Sequence, residues 1–262
     1  MLFKMKIMVL GSGGFLGKAL VAKLEDSHEL LKVNRQTDLV DLFNSAQFFD
    51  FVINCASSSA KANPAESHES NFLYPKQIFE NLYFSHWVQI ESYFQLQIPF
   101  GRLDPYTNEK ERFSRFLDES VRHANSPQVY HLYMPHLFGD NDRPERLISS
   151  AISALSRGEI FQTSSGTQFL PVLYISDAVE GILRFIERPT ENAACRPFWY
   201  GSVKDLLDLM ASQFSKPPIL YGLIPDPVDA DFPRVDFPQS VDGWVPKMQL
   251  VDFLEWIKMR RN

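Results

Sequence analysis

The sequence predicts a doubly wound α/β fold, in which helices cover both faces of an open parallel sheet. Two observations carry this prediction: short apolar runs alternate with segments of helical period, and a glycine-rich loop joins the first run to the first helical segment. The chain has 262 residues, of which 45% are hydrophobic and 22% are charged, and it can therefore bury a sizeable core.

The predicted strands are apolar runs rich in β-branched or aromatic residues. They cover residues 6–10, 29–33, 51–55, 87–90 and 129–134. The segments of helical period between most of them cover residues 15–24, 38–46, 70–82 and 109–123. Right-handed crossovers would place these helices on both faces of the sheet.

The loop after the first strand has the glycine spacing of a dinucleotide-binding turn. Glycines at 11, 14 and 17 would allow a tight turn, close approach of the backbone to a pyrophosphate, and close packing of helix on strand. The helix N-terminus would point at the phosphate charge. Glycine-rich turns without a ligand are also common, so this prediction depends on support from the rest of the chain. The residues expected to contact the dinucleotide here are Gly11, Ser12, Gly13, Gly14, Phe15, Leu16 and Gly17.

The corner after the second strand indicates which dinucleotide is used. Asn34 and Arg35 stand where an NAD-binding chain often has an acid for the ribose hydroxyls, and an arginine can bind a 2′-phosphate instead. We therefore expect NADP(H), with NAD(H) as the alternative if Arg35 is only a solvated side chain. Asp38 and Leu39 would meet the adenine, although Asp38 is equally suited to cap the following helix.

The third strand becomes small and polar where it ends, at the edge where open parallel sheets bind ligands. Cys55, Ala56 and Ser57 would let the dinucleotide approach closely, and Ser58 is a candidate substrate contact. A run of serines is ordinarily only a loop, so this segment supports a site without identifying one.

The spacing of Tyr106 and Lys110 predicts the reaction chemistry. Residues four apart lie on one face of a helix, which we expect to begin near Pro105. An ammonium beside a phenol stabilises the phenolate, so that the phenol can exchange a proton with a substrate oxygen. The lysine can also bind the nicotinamide ribose. Because this spacing often arises by chance in surface helices, it becomes informative only together with the glycine loop.

The pattern of apolar runs and helical segments changes after about residue 140. Turn-like segments follow at 140–144 and 164–167, a proline-rich stretch at 217–246, and helical patterns at 146–155, 176–186, 203–214 and 249–259. We predict a dinucleotide-binding domain over 1–140 and a smaller α/β substrate-binding lobe over 141–262. The two are interleaved, with about 172–188 returning to the first domain.

Charge and cysteine content argue against several kinds of partner. The net charge of −6, without a Lys/Arg cluster, argues against nucleic acid and against an anionic membrane surface. Cys55 and Cys195 are far apart and neither they nor the histidines show a ligand spacing, so we expect reduced thiols and no metal. Glycines interrupt the first apolar run before it reaches the length of a leader or a membrane helix, which favours a cytoplasmic protein.

These motifs resemble those of the extended short-chain dehydrogenases/reductases, also called the NAD-dependent epimerase/dehydratase family of nucleotide-sugar enzymes. The resemblance spans nearly the whole chain and implies a Rossmann domain. The matching segments are Gly11-x-x-Gly14-x-x-Gly17, Asn54-Cys55-Ala56, Asn71, Tyr106-x-x-x-Lys110, Phe138-Gly139-Asp140, residues 169–178 and Gly243-Trp244-Val245-Pro246.

The resemblance implies a role for each residue of the site. The family's catalytic hydroxyl falls by register on Ser92, which would polarise the sugar oxygen while Tyr106 protonates it and Lys110 binds the ribose. Ser92 could instead be a turn residue that ends the strand. Asn71, Pro135 and His136 complete the implied cofactor contacts, although a lone histidine is more often structural.

Departures from the family pattern bear on the substrate. Family dehydratases carry an Asp-Glu pair directly after the catalytic hydroxyl, whereas Tyr93 and Phe94 follow Ser92 here, so we do not expect dehydration. Gln168 stands where relatives often have an arginine near the diphosphate. Arg143 and Arg146 are alternative diphosphate contacts, or simply solvated arginines. The expected substrate contacts are Ser58, Ser92, Tyr93, His136, Arg143 and Arg146.

Taken with the resemblance, these residues favour an NADP-dependent reductase of a nucleoside-diphosphate 4-keto-6-deoxy sugar, in deoxysugar or surface-polysaccharide synthesis. The family also implies a homodimer. Two alternatives stay open: a nucleotide-sugar 4-epimerase with tightly bound NAD, and a dinucleotide-binding sensor without catalysis. The retained pair of Tyr106 and Lys110 argues against the sensor, which has no chemical need of it.

Overall fold

The strands and sheets follow the predicted α/β plan. The computed structural model describes residues 4–58, 62–121, 126–214 and 219–260. The strands are β1 (Lys6–Leu10), β2 (Glu29–Val33), β3 (Phe48–Asn54), β4 (Tyr83–Ser92), β5 (Gln128–Met134), β6 (His136–Phe138), β7 (Phe161–Gln162), β8 (Phe169–Tyr174), β9 (Asn192–Ala194), β10 (Trp199–Ser202) and β11 (Ile219–Leu220).

The central sheet is parallel throughout and has the order β2-β1-β3-β4-β5-β9. The chain crosses from β2 over β1 to β3, so the strand order reverses between β1 and β3. In a doubly wound sheet this reversal opens a crevice at the carboxyl ends of the two strands. The glycine-rich loop follows β1 and the polar segment 55–58 follows β3, so both predicted dinucleotide segments lie at that crevice.

The helices confirm most of the predicted segments. They are α1 (Phe15–Leu24), α2 (Leu39–Asn44), α3 (Pro64–His68), α4 (Tyr74–Asn81), α5 (Pro105–Ser120), α6 (Leu147–Ser156), α7 (Ile175–Glu187), α8 (Val203–Ala211) and α9 (Leu250–Lys258). The segment predicted as one helix over 70–82 is a π-helical turn, Glu69–Leu73, continued by α4. The expected end of the next helix at 123 lies outside the described residues, as does Pro217, the first proline of the proline-rich stretch.

The two faces of the central sheet are buried by different helices. On β1, Ile7 and Val9 pack into the cluster that contains α1 and α7, whereas Met8 and Leu10 pack into the cluster that contains α4 and α5. This alternation follows from the two-residue period of a strand. Every residue from Ile7 to Leu10 is buried, as expected for a strand covered on both faces.

A second core forms around the smaller sheets. The strands β10-β8-β6 form one sheet and β11-β7 form another. Phe138 on β6 lies among Ile148 of α6, Leu206 of α8 and Phe253 of α9. In contrast, Leu173 and most of α7 pack against α1 and the central sheet.

Candidate active site

The glycine-rich turn has the close contacts that its sequence predicts. Gly11 has a positive φ of +78°, and a Cβ atom there would lie 2.5 Å from the backbone nitrogen of Ala56. A Cβ atom at Gly17 would lie 2.2 Å from the Gly11 carbonyl oxygen. Helix α1 begins at Phe15 with Gly14 as its N-cap, which leaves its first N–H groups without helical acceptors. The turn therefore presents backbone donors at the crevice and fits a bound pyrophosphate.

The corner after β2 holds Arg35 against the π-helical turn. Its Nη2 atom donates to the Ser70 hydroxyl at 2.6 Å and lies 3.5 Å from a carboxylate oxygen of Glu66. The guanidinium is still two-thirds exposed, so it remains accessible to an anionic ligand. Tyr74 donates to the Asn34 carbonyl at 2.7 Å, which fixes the backbone of this corner.

Asp38 acts as a helix cap, which is one of its two expected roles. Its carboxylate accepts from the backbone N–H groups of Val40 and Asp41 at the start of α2. Capping uses Oδ1 and leaves the residue exposed, beside the half-buried Leu39. The geometry thus accounts for Asp38 without a ligand.

The polar segment after β3 is tied to Asn71 on the π-helical turn. Asn71 donates to the Ser58 hydroxyl at 2.8 Å and accepts from the Ser58 N–H at 3.1 Å. It also accepts from the hydroxyl of Ser57 at 3.2 Å. Ser58 is buried by these contacts, so in this structure it supports the loop. Burial raises the pKa of the nearby Cys55 thiol to about 12, against the opposing charge of Lys110, so Cys55 is a neutral small side chain.

The start of α5 carries the predicted Tyr106 and Lys110. Asp104 caps this helix by accepting from the Thr107 N–H at 3.0 Å. Lys110 is 4% exposed, and its ammonium donates to the Ile90 carbonyl on β4 at 2.8 Å. Tyr106 lies one helical turn earlier and is half-buried.

Ser92 ends β4 next to this helix. Its hydroxyl accepts from the Phe94 N–H at 3.2 Å, and the Phe94 ring meets the Tyr106 ring edge-on, with 6.2 Å between centroids. The contact of Lys110 with Ile90 and that of Tyr106 with Phe94 flank Ser92 on both sides along the chain. The structure therefore brings the three predicted catalytic residues to one place, although Ser92 also makes the turn contact expected of a strand-ending residue.

A buried arginine connects this helix to the C-terminal part of the chain. Arg102 donates to Asp104 at 2.7 Å and to Asp229 at 2.8 Å, and its guanidinium stacks on Phe94 at 3.5 Å from the ring centroid. Asp229 belongs to the long segment between β11 and α9, 127 residues away. Sequence reasoning missed both residues, because no local pattern pairs them.

Tyr93, predicted as a substrate contact, directly follows Ser92. It is 4% exposed and packs in the second core. Burial raises its pKa well above the ordinary tyrosine value, with Asp229 adding to the rise and Arg102 opposing it. Tyr200 and Tyr106 are close enough to contribute as well. Tyr93 therefore stays a neutral phenol among the other polar groups at the junction of the two cores.

His136 follows Pro135 at the start of β6, and it is half-buried as a residue, with its Nε2 atom fully buried. Burial and, to a smaller extent, the positive charge of Arg146 lower its pKa to about 3, so the imidazole is neutral. Its Nε2 atom has no hydrogen-bond partner within the described residues. An unpaired buried nitrogen is costly, and a ligand in the crevice would be one way to satisfy it.

Arg146 occupies the space between His136 and the glycine loop. It forms an ion pair with Asp142 at 3.1 Å, and its guanidinium lies 5.9 Å from the ring centroid of Phe15. Arg143 is exposed and contributes its backbone N–H to Asp142. Of the two predicted diphosphate contacts, Arg146 is thus the one placed near the loop.

A membrane-spanning helix and a metal-binding cluster are two other features that could define a functional region. In the described ranges, no helix is long and apolar enough to cross a membrane. Over the same ranges, no three or more His, Cys, Asp or Glu side chains are grouped to bind a metal ion. Both cysteines, Cys55 and Cys195, are free thiols.

The fold and the glycine turn define a Rossmann-type dinucleotide-binding protein. The family model of the NAD-dependent epimerase/dehydratase family matches residues 7–198. The chain belongs to this family and is an NAD(P)-dependent enzyme, which confirms the resemblance drawn from its motifs. Its cofactor is a nicotinamide dinucleotide.

Individual relatives are more distant. The chain is 24% identical over 211 residues to a CDP-abequose synthase of Yersinia pseudotuberculosis, covering 70% of this chain and 73% of that protein. Among solved structures, UDP-glucose 4-epimerase of Thermotoga maritima aligns with a TM-score of 0.80 at 17% identity, covering 98% of both chains. RMD of Pseudomonas aeruginosa, solved with NADPH, aligns with a TM-score of 0.77 at 19% identity, covering 98% of this chain and 99% of that one.

Proposed function

We propose that this enzyme is an NADP-dependent reductase of a nucleoside-diphosphate 4-keto-6-deoxy sugar, in deoxysugar or surface-polysaccharide synthesis. The observation that carries the proposal is the corner after β2, where Arg35 presents an exposed guanidinium and the buried Ser70 hydroxyl supports it by a hydrogen bond. These groups suit a 2′-phosphate, and NADP is the dinucleotide that cells normally supply reduced. The similarity to a CDP-abequose synthase, in a chain of comparable length, supports the same kind of substrate.

The proposed mechanism uses three side chains at the junction of β4 and α5. When bound, the nicotinamide supplies a hydride to the carbonyl carbon. The Ser92 hydroxyl donates a hydrogen bond to the carbonyl oxygen, and Tyr106 transfers its proton to that oxygen as the alkoxide forms. The Lys110 ammonium binds the ribose and stabilises the resulting phenolate. The proton on Tyr106 is then restored from solvent.

The residues after Ser92 support a 6-deoxy substrate. Phe94 places an aromatic ring against Tyr106 where a dehydratase of the family would carry an acid. An apolar wall suits a methyl group and provides no base for removing water. Arg146, near the glycine loop, is the proposed contact for the diphosphate of the substrate.

The direct test is a parallel fluorescence titration with NADPH and NADH, followed by addition of nucleoside-diphosphate 4-keto sugars. Preferential binding of NADPH, with oxidation that depends on the sugar, is the expected result. The similarity to a UDP-glucose 4-epimerase favours a second candidate, a 4-epimerase. NAD released from the purified protein on denaturation, with no net oxidation, would establish that candidate instead.

An Arg35→Ala variant should separate the two dinucleotides. We expect NADPH binding to weaken by about tenfold to a hundredfold, the effect of losing one charge-assisted hydrogen-bonding group of ~1.5–3 kcal/mol. NADH binding should change by less than about twofold, because NADH has no 2′-phosphate for Arg35 to bind. Lys18→Ala, which removes an exposed cation from α1, is the matched control. Equal losses for both dinucleotides would contradict an NADP-selective corner.

We also propose a homodimer that packs α5 of one copy against α5 of another. A groove beside this helix is lined by apolar Phe72 and Leu103 and by charged groups of both signs, including Glu111 and Arg115. Such a mixed surface can be self-complementary about a two-fold axis. Sedimentation equilibrium of the purified enzyme tests the proposal, and Arg115→Glu is expected to shift it toward monomer.

The two parts of the chain are proposed to bind different ligands. We propose that residues 1–140, together with about 172–188, bind the dinucleotide and that the remainder of 141–262 binds the substrate. The packing of α7 on the central sheet and the separate second core support this division. We further propose a cytoplasmic location, which the two free thiols and the use of NADP support.

A further inference from the structure

A buried chain of charged groups lies directly behind the predicted catalytic residues. Glu91, the residue before Ser92, is 1% exposed, and its Oε1 atom accepts from His131 Nδ1 at 2.7 Å. The other ring nitrogen, His131 Nε2, lies 3.1 Å from Asp118 on the outer part of α5. This series of contacts therefore runs from Glu91 at the end of β4, through His131 on β5, to Asp118 on the surface of α5.

Hydrogen bonds tie this chain to the backbone of the site. The Ser114 hydroxyl donates to Glu91 Oε1 at 2.5 Å and lies 2.9 Å from the carbonyl oxygen of Lys110. Gln95 donates to the same hydroxyl at 3.3 Å and accepts from the Ser92 N–H at 2.9 Å. The Glu91 carboxylate is thus linked through Ser114 to the turn of α5 that carries Lys110, and through Ser114 and Gln95 to Ser92.

The charges in this cluster balance. Burial disfavours ionisation of Glu91, but the hydrogen bond and charge of His131, and the charge of Lys110, lower its pKa below the ordinary value. Burial disfavours the imidazolium of His131, but Asp118 and Glu91 together raise its pKa to about 10. At neutral pH two cations, Lys110 and His131, therefore face two carboxylates.

Other ionisable groups around Glu91 do not upset this balance. Tyr133, its neighbour on β5, has its pKa raised by burial and by Glu91, and stays a neutral phenol. Glu111, on the same helix as Lys110, is also close enough to Tyr133 to raise that pKa. Cys55, which follows β3 and lies close enough to Lys110 to be affected by its charge, is neutral as well.

We propose that Glu91, paired with His131, is a positioning residue that holds the Lys110 ammonium at the end of β4, and with it the ribose contact of the dinucleotide. This inference rests on the proposed roles of Lys110 and the cofactor. Glu91 Oε2 has no hydrogen-bond partner in the described part of the chain, so its stabilisation of Lys110 is through charge. Without the carboxylate, a protonated His131 would leave one cation in excess beside Lys110.

The test measures the affinity for the dinucleotide as a function of pH in a Glu91→Gln variant. We expect NADPH to bind about tenfold more weakly than to wild type at pH 6, the effect of one unbalanced charge of ~1.4 kcal/mol. As the pH rises, His131 loses its proton at a lower pH than in wild type, and the affinity returns to within about twofold of wild type by pH 8.5. The double variant Glu91→Gln/His131→Gln, which restores charge balance, should bind with near wild-type affinity at both pH values.

Matched controls separate this role from a general loss of packing. Asp177→Asn removes a buried carboxylate, and His86→Gln a histidine on β4, both outside the proposed site, and neither should alter the pH dependence. If Glu91→Gln does not fold, Asp118→Asn weakens the same pair from its exposed end. A double variant that binds no better than Glu91→Gln at pH 6 would overturn the proposal.

A second readout does not depend on the proposed function. In ¹³C-histidine NMR spectra, with the signal assigned by its absence in His131→Gln, His131 should stay protonated from pH 5 to 8.5 in wild type and titrate within that range in Glu91→Gln. Titration near 6.5 in wild type would refute the charge pairing itself. If wild type binds NADH in place of NADPH, the affinity test is run with NADH and the proposed NADP preference alone fails. If it binds neither, the role assigned to Lys110 fails as well.

Discussion

A Tyr106→Phe variant is expected to lose turnover by a factor of about 10²–10⁴, the usual contribution of a positioned proton donor. The change removes one oxygen atom from a half-buried ring whose contact with Phe94 is between ring edges and faces. Folding and dinucleotide affinity should therefore stay close to wild type. Steady-state turnover with a 4-keto sugar and a fluorescence titration with NADPH, on the same preparation, measure the two effects separately.

Tyr130→Phe is the matched control for this experiment. Tyr130 lies on β5, and its hydroxyl contacts His86, away from the carboxyl ends of the strands. Its removal should leave both turnover and affinity nearly unchanged. Full turnover in Tyr106→Phe would refute the assignment of this phenol as the proton donor and would mean that another group supplies the proton.

An Arg102→Leu variant is expected to produce the largest loss of stability. The side chains of Arg102 and Asp229 are each 8% exposed, and removal of one partner leaves the other charge buried and unpaired. Breaking such a pair typically lowers the free energy of unfolding by about 3–5 kcal/mol. Turnover should fall too, because Arg102 also binds Asp104, which caps the helix two residues before Tyr106. Urea denaturation followed by tryptophan fluorescence measures the loss.

The control for Arg102 uses an ion pair of the same chemistry on the surface. Arg157 contacts Glu159 at 2.7 Å and both side chains are more than half exposed, so Arg157→Leu should lower the free energy of unfolding far less than Arg102→Leu does. The double variant Arg102→Leu/Asp229→Leu should recover part of the lost stability, because no charge of the pair is then left alone. If Arg102→Leu does not fold, Asp229→Asn provides a milder version. Equal losses of stability in Arg102→Leu and Arg157→Leu would show that burial of the Arg102–Asp229 pair contributes nothing.

Local signals in the chain were sufficient for much of the fold. Helix α1 lies where its helical period and the preceding glycines indicate, over Phe15–Leu24, and the five predicted strands all form. The helix predicted over 70–82 was wrong at its start, because Pro75 has no N–H to donate to the fourth preceding carbonyl and a π-helical turn precedes it. The strands β6, β7, β9, β10 and β11 were not predicted, since two to four residues carry too little periodic signal. Strand β8 was missed because it contains Pro171, and a proline within an apolar run argues against a strand.

The residues of the candidate site divide in the same way. The glycine turn and the spacing of Tyr106 and Lys110 could be read from the chain alone, because a tight turn and a helical face depend on residues within a few positions of one another. The pairing of Asp229 with Arg102 across 127 residues, and that of His131 with Glu91 across 40, became visible only in the folded molecule. These contacts depend on strand register and on the packing of the second core against the sheet, which no local pattern specifies.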